Sequence, residues 1–224
     1  MGLGSSINPL AAIRSYVRSI EEWWFDTSRH VRTAGTEQKT RSDIAGERSD
    51  SHLYGPVRVA NARAALRDLP IKDLSRYRFI DMGSGKGRML FVAAEFPFRG
   101  VVGVEFSKTL HEEALANLAR YRHSSQHCRT IESVHANAME YEFPEENLVV
   151  YMFNSFGPEV LGRMLKNLEH SLERKPRHVV VVMLWPENSE LVAGMPWMKE
   201  YRKTRRYHVY ETGDTDISDG ARGE

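Results

Sequence analysis

The stretch Phe79-Ile80-Asp81-Met82-Gly83-Ser84-Gly85-Lys86-Gly87-Arg88 constrains this chain more than any other. An apolar strand pattern runs into an aspartate and then into glycines at three alternate positions. The apolar-periodic run Met89-Leu90-Phe91-Val92-Ala93-Ala94 follows at once. Glycine tolerates positive φ and carries no Cβ, so the backbone can turn sharply there and a ligand can lie against it. The stretch therefore reads as strand, glycine turn, helix, the layout of a nucleoside-binding unit in an open α/β sheet.

The same alternation continues along the chain. Residues 57–69 read as a helix leading through Pro70 to the first strand, and a helix near 87–96 follows the turn. Strands are predicted at 101–105, 130–135, 148–153 and 178–184, with helices at 108–122 and from Pro158 through Leu172 between them. These strands are apolar without alternation, which predicts a parallel sheet covered on both faces. Residues 201–204 and 207–210 read as an antiparallel pair with a very short connection that finishes the sheet.

Length suits one α/β domain with some extra chain: 224 residues divide into an N-terminal helix and polar linker (1–50), a globular domain (51–212) and a disordered tail (213–224). Within the first part, residues 9–25 show an apolar stripe at helical spacing, Ile13, Val17, Ile20 and Trp24. The stripe is expected to pack on the domain. The aromatic cluster Trp23-Trp24-Phe25 also fits a lid or a dimer contact. Residues 27–50 are polar and read as a linker able to order over a ligand.

Thirty-one basic residues against thirty acidic ones leave a formal charge of +1, so bulk electrostatics predicts neither a nucleic acid nor a membrane partner. No apolar run approaches the roughly 20 residues that span a bilayer. No signal-peptide pattern opens the chain. Met1-Gly2-Leu3-Gly4-Ser5-Ser6 fits the loose myristoylation pattern, as a Gly/Ser leader does by chance. The single cysteine, Cys128, is expected to be a partly buried structural thiol, and with it a cytoplasmic location.

Three ligand classes use such turns. A P-loop needs G-x-x-x-x-G-K-[ST], but its first glycine would fall on Ile80 and its hydroxyl residue on Gly87. A dinucleotide site needs G-x-G-x-x-G, whereas the spacing here is G-x-G-x-G, and Asp81 would repel a pyrophosphate. The same carboxylate would attract an ammonium group.

Asp81-x-Gly83-x-Gly85-x-Gly87, followed by Glu105 at the end of the next strand, resembles the class I (seven-strand) S-adenosylmethionine-dependent methyltransferases. The resemblance implies a Rossmann-like seven-stranded, mostly parallel sheet with helices on both faces, an antiparallel C-terminal strand pair and an N-terminal helical extension. It implies S-adenosylmethionine as cofactor. Asp81, Gly83, Ser84, Gly85 and Gly87 would lie along its methionine and ribose portions, Glu105 on the ribose hydroxyls, and Asn137, where the family often has an acid, at the adenine. The motif Phe153-Asn154-Ser155-Phe156-Gly157 resembles an Asn-Pro-Phe-Gly motif beside the transferred methyl, with Ser155 in place of proline.

Asn154, with Tyr54 and His52 from the turn that precedes the domain, are accordingly the expected catalytic residues. Asn137 fits a turn-forming asparagine equally well. Lys86 and Arg88 oppose the dipole of the helix they begin and are expected to be solvent-exposed. The acceptor is expected to be a small molecule or a protein side chain, and the chain a monomer or a homodimer through its N-terminal aromatic helix. A nicotinamide-dependent oxidoreductase and a non-catalytic binding module are the alternatives. No metal-ligand spacing is seen.

Overall fold

The computed structural model describes residues 9–35, 55–153 and 156–213, with residues 9–15 as helix backbone alone. Helix α1 (Pro9–Arg29) and helix α2 (Val59–Arg67) precede strand β1 (Tyr77–Met82). Then follow α3 (Arg88–Ala93), β2 (Gly100–Glu105), α4 (Lys108–Arg120), β3 (Ile131–His135), β4 (Asn147–Phe153) and α5 (Pro158–Arg174). The chain ends with β5 (Val179–Leu184), α6 (Ser189–Ala193), β6 (Met198–Lys203) and β7 (Tyr207–Thr212).

All seven strands form one sheet in the order β3-β2-β1-β4-β5-β7-β6. The first five pair in parallel, and β7 runs antiparallel to both β5 and β6. The expected α/β fold is present, with its antiparallel C-terminal pair.

Burial explains the sequence texture. Every residue of β2 and β5 is buried, because helices cover both faces. Phe79, Tyr151, Val180 and Val182 meet Phe25, Leu66, Phe91 and Tyr121 on one face. Ile80, Met82, Val150 and Val181 meet the α5 stripe Leu161, Met164, Leu165 and Leu168 on the other. The outer strand β6 is lined with exposed Lys199, Glu200, Arg202 and Lys203, a charged edge that discourages pairing with another sheet.

The N-terminal region differs from expectation in two respects. First, helix α1 runs on to Arg29, and His30 (φ 57°) turns the chain so that residues 31–35 fold back rather than forming a linker. Val31 donates to the Asp26 carbonyl at 3.0 Å, and its side chain is buried. Second, the described part of the apolar stripe does not pack on the domain. Tyr16, Val17, Ile20, Trp23 and Trp24 are 45–70% exposed, while Phe25 and Arg29, on the opposite side of the helix, are buried. The mixed-charge face docks because the domain supplies partners for it: Glu95 bonds Arg29, and Arg88 lies against Phe25 and Asp26. The expected tail lies almost wholly outside the described residues.

Candidate functional site

Strand β1 ends in Asp81 and Met82, and the glycine turn follows at the C-terminal edge of the sheet, where open α/β sheets place their ligands. Gly83, Gly85 and Gly87 have φ of 83°, 53° and 86°, left-handed conformations that side chains with a Cβ rarely adopt. The turn is tied to the neighbouring strand: the N–H groups of Gly83 and Ser84 both donate to the Val104 carbonyl, at 2.9 and 3.1 Å. Gly87 donates to the Ser84 carbonyl and in turn starts α3.

This seating depends on Gly103, which lies inside the strand predicted at 101–105 but to which sequence reasoning gives no role at the turn. A Cβ on Gly103 would stand 2.6 Å from Ser84 Oγ and 2.9 Å from Leu90 Cδ1. The signal was a glycine inside an otherwise β-branched strand, which marks a close backbone approach.

The two acids expected at the site are brought together. Asp81 is the β1 register partner of Gly103, and Glu105 lies two residues on from Gly103, on the same sheet face. Both acids are buried. Glu105 accepts Gly85 N–H at one carboxylate oxygen and Ser107 N–H at the other, each at 2.8 Å, which leaves one lone-pair site on each oxygen. Burial pushes the Asp81 carboxyl well above the usual carboxylate range, and the nearby Glu105 charge adds to this.

Two buried hydroxyls in the same region have no hydrogen-bond partner, Ser84 Oγ and Tyr151 Oη. Tyr151 is the β4 register partner of Asp81, so the two side chains share a face. The cluster fits a ligand bearing a cation and several hydroxyls: an ammonium would restore the charge of Asp81, and a diol could use the free lone pairs of Glu105.

Lys86 and Arg88 are buried, contrary to the exposed placement expected from the sequence. Lys86 Nζ pairs with Glu113 at 3.0 Å. Arg88 Nε donates to Thr33 Oγ1 at 2.7 Å, and its Nη2 lies 3.5 Å from Asp26. Asp26 in turn accepts the N–H groups of Thr33 and Ala34. Arg88 therefore joins the first turn of α3 to the N-terminal segment. Those partners lie far away in sequence, so a dipole argument that treats the helix start as solvated could not find them.

Asn137 Oδ1 accepts Met139 N–H at 2.9 Å, the turn-forming arrangement open from the sequence. His52, Tyr54 and Asn154 lie outside the described residues, although β4 runs up to Phe153 immediately before Asn154. Beyond the end of β5, Trp185 is 48% exposed with φ 49°. A bulky residue in that conformation is an outlier of the kind found at ligand sites. Its N–H donates to the Arg206 carbonyl at 2.9 Å.

Cys128 is buried as expected; burial raises its thiol pKa, and Sγ contacts the Thr130 carbonyl. Among the described residues no group of three or more His, Cys, Asp or Glu side chains could hold a metal ion. Among them also, no helix is long and apolar enough to cross a membrane.

No protein-family model matches the sequence, and no curated protein matches it. The likeness lies in structure. An RNA methyltransferase of Salinibacter ruber, solved with S-adenosylhomocysteine, is 18% identical; the match covers 73% of this chain and 97% of that one with a TM-score of 0.50. A predicted N6-adenine-specific DNA methylase of Listeria monocytogenes is 16% identical, with 78% of this chain and 55% of that one covered and a TM-score of 0.52. The chain thus shares its fold with these methyltransferases.

Proposed function

We propose that the chain is an S-adenosylmethionine-dependent methyltransferase acting on an N or O nucleophile of a small molecule or a protein side chain. The observation that carries this reading is the pairing of two buried acids, Asp81 and Glu105, at adjacent strand ends beside a turn of three left-handed glycines. Asp81 would hold the cofactor's ammonium, Glu105 its ribose hydroxyls, and the backbone of residues 83–87 would lie along it, with Asn137 nearby at the adenine. When bound, the cofactor supplies a sulfonium methyl group for direct displacement.

The chain's own contribution is placement, which can lower a barrier by roughly 7–11 kcal/mol without a strong base. Asn154, directly after β4, would orient the acceptor. Tyr54 would close over the reacting end, and His52 would take the acceptor's proton where it has one. Trp185 adds an exposed indole beyond the neighbouring strand end, suited to a flat or cationic acceptor. The near-zero net charge favours an acceptor other than nucleic acid, and the single buried thiol suits a cytoplasmic enzyme.

Calorimetric titration with S-adenosylhomocysteine and, separately, with NAD tests the cofactor. S-adenosylhomocysteine at about 100 times its dissociation constant should stabilise the fold by roughly 2.7 kcal/mol. Asp81→Ala should remove most of that gain. Binding of NAD alone would overturn the reading. Labelled-methyl transfer to protein, nucleic acid and small-molecule fractions then identifies the acceptor, and full binding with no transfer to any of them would mark a non-catalytic module.

A further inference from the structure

Helix α1 has two faces, and the domain uses one. At 100° per residue, Phe25, Arg29 and Glu22 form the side that meets Arg88 and Glu95. The opposite side presents Tyr16, Val17, Ile20, Trp23 and Trp24 to solvent, at 70, 45, 47, 62 and 63% exposure. Five large apolar side chains in one stripe form a contiguous patch, unlike the scattered apolar residues of an ordinary surface. We propose that this stripe is a homodimer interface, in which α1 pairs antiparallel with α1 of a second copy across a two-fold axis. The proposal does not depend on the chemistry of the cofactor site.

Three features select a second copy. Leu10, Ile13, Val17, Ile20 and Trp24 recur at alternating intervals of three and four residues, the a/d spacing of a helix-pair seam. The flanks are self-complementary under a two-fold. With Val17 opposite Ile20 of the second copy, Arg14 falls opposite Glu21 on one edge, and Tyr16 opposite Trp23 on the other. Glu21 is free to respond, since its contact with Arg58 is loose at 3.9 Å and both side chains are exposed.

The size also fits. Covering these five side chains in both copies buries on the order of 1,000 Å² in total, near the lower limit of specific interfaces. A reversible dimer follows. A membrane surface fits less well, because the polar positions Arg14, Arg18, Glu21, Glu22, Asp26 and Arg29 balance in sign and offer no basic face to anionic lipid.

Analytical ultracentrifugation of the full chain tests this from low micromolar to hundreds of micromolar concentration. The mass should rise from 25.7 kDa towards twice that value. Ile20→Glu should stay monomeric throughout with an unchanged thermal midpoint, because Ile20 lies on the exposed face. Glu21→Arg should weaken the dimer roughly tenfold, since the symmetry counts each like-charge contact twice. Adding Arg14→Glu to it should restore the dimer. A wild-type chain that stays monomeric overturns the proposal, as does a dimer indifferent to Ile20→Glu. A third contrary result is a tryptophan blue shift on phosphatidylcholine–phosphatidylglycerol vesicles from a chain that stays monomeric without them, which would assign the stripe to a membrane surface.

Discussion

One side-chain amide, that of Asn117, holds both Lys86 and Arg32. Its Nδ2 donates to the Lys86 carbonyl inside the glycine turn and to the Arg32 carbonyl in the N-terminal segment, each at 3.0 Å, while its Oδ1 accepts Arg32 N–H at 2.8 Å. Asn117 is 1% exposed, so these groups have no water to fall back on. The turn proposed to carry the cofactor and the segment after α1 therefore share one fastening on α4. Asn117→Ala should destabilise the free protein by about 1–3 kcal/mol through the polar groups it strands. It should also weaken S-adenosylhomocysteine binding, because the turn loses a support. Denaturant melts with a parallel titration check both effects. Lost stability with unchanged affinity would show that the turn keeps its shape without the amide.

The raised pKa of Asp81 gives a pH signature. A carboxyl whose folded pKa lies above its unfolded value favours the folded state fully below the unfolded pKa, near 3.9. That contribution is lost as pH rises through the folded pKa. Asp81→Asn, neutral at every pH, should match wild type near pH 4 and become the more stable of the two as pH rises towards neutrality. The same substitution should lose affinity for S-adenosylhomocysteine at neutral pH, where the ammonium of the ligand favours the ionised acid. Thermal melts across that range, with and without ligand, check the reversal of order.

Glu95 behaves in the opposite sense. Burial pushes its pKa up, but hydrogen bonds and charge from Arg63 and Arg29 outweigh burial and leave it below the ordinary value. Its stabilising contribution is present above the unfolded pKa near 4.3 and is lost as pH falls through the folded value. Arg29 and Glu95 are 5 and 9% exposed at the side chain. Glu95→Gln leaves the arginine charge buried without its counter-charge and should cost about 3–5 kcal/mol at neutral pH, with a smaller loss in acid. Because this pair fixes α1 to the domain, protease cleavage near residue 30 should accelerate in the variant.

Much of this architecture is legible in local pattern, and the remainder depends on distant partners. Val179 to Leu184 reads as a buried parallel strand because it is apolar throughout and short. Asp81 and Glu105 can be located because each ends such a strand. The orientation of α1 is not legible, since its apolar stripe and its mixed-charge face both fit amphipathic docking. Glu95 decides between them from 66 residues away. Asn117 clasps Arg32 across 85 residues, so no window around residues 27–35 reveals that they fold. Arg88 looks like a solvated charge until Thr33 and Asp26 are placed beside it.

Gly103→Ala should act on the turn without touching the acids. The new methyl would meet Ser84 Oγ at 2.6 Å, Ser84 Cβ at 2.8 Å and Leu90 Cδ1 at 2.9 Å, all closer than real Cβ contacts allow. Overpacking of this kind costs about 1–3 kcal/mol, and here the strain falls on the residues that seat the turn. Ser84→Gly in the same chain removes two of the three contacts, so the double variant should recover part of the lost stability. A double variant no better than Gly103→Ala would place the strain on Leu90 instead.

Tyr151 offers a separation of folding from ligand binding. Its ring packs on Phe79 with centroids 5.7 Å apart, while its hydroxyl is buried without a partner and its pKa is pushed well above 10, by burial first and the Asp81 charge second. An unmatched hydroxyl costs about 1–3 kcal/mol, so Tyr151→Phe keeps the packing, removes the penalty and should raise the melting temperature of the free protein. A buried hydroxyl left without a partner calls for an explanation, and relief by a bound ligand supplies one. Here the relief would come on the face shared with Asp81, when a bound ammonium holds that acid ionised and able to accept a hydrogen bond. Tyr151→Phe should therefore bind S-adenosylhomocysteine several-fold more weakly despite its greater stability. A variant that is more stable and binds equally well would confine Tyr151 to packing.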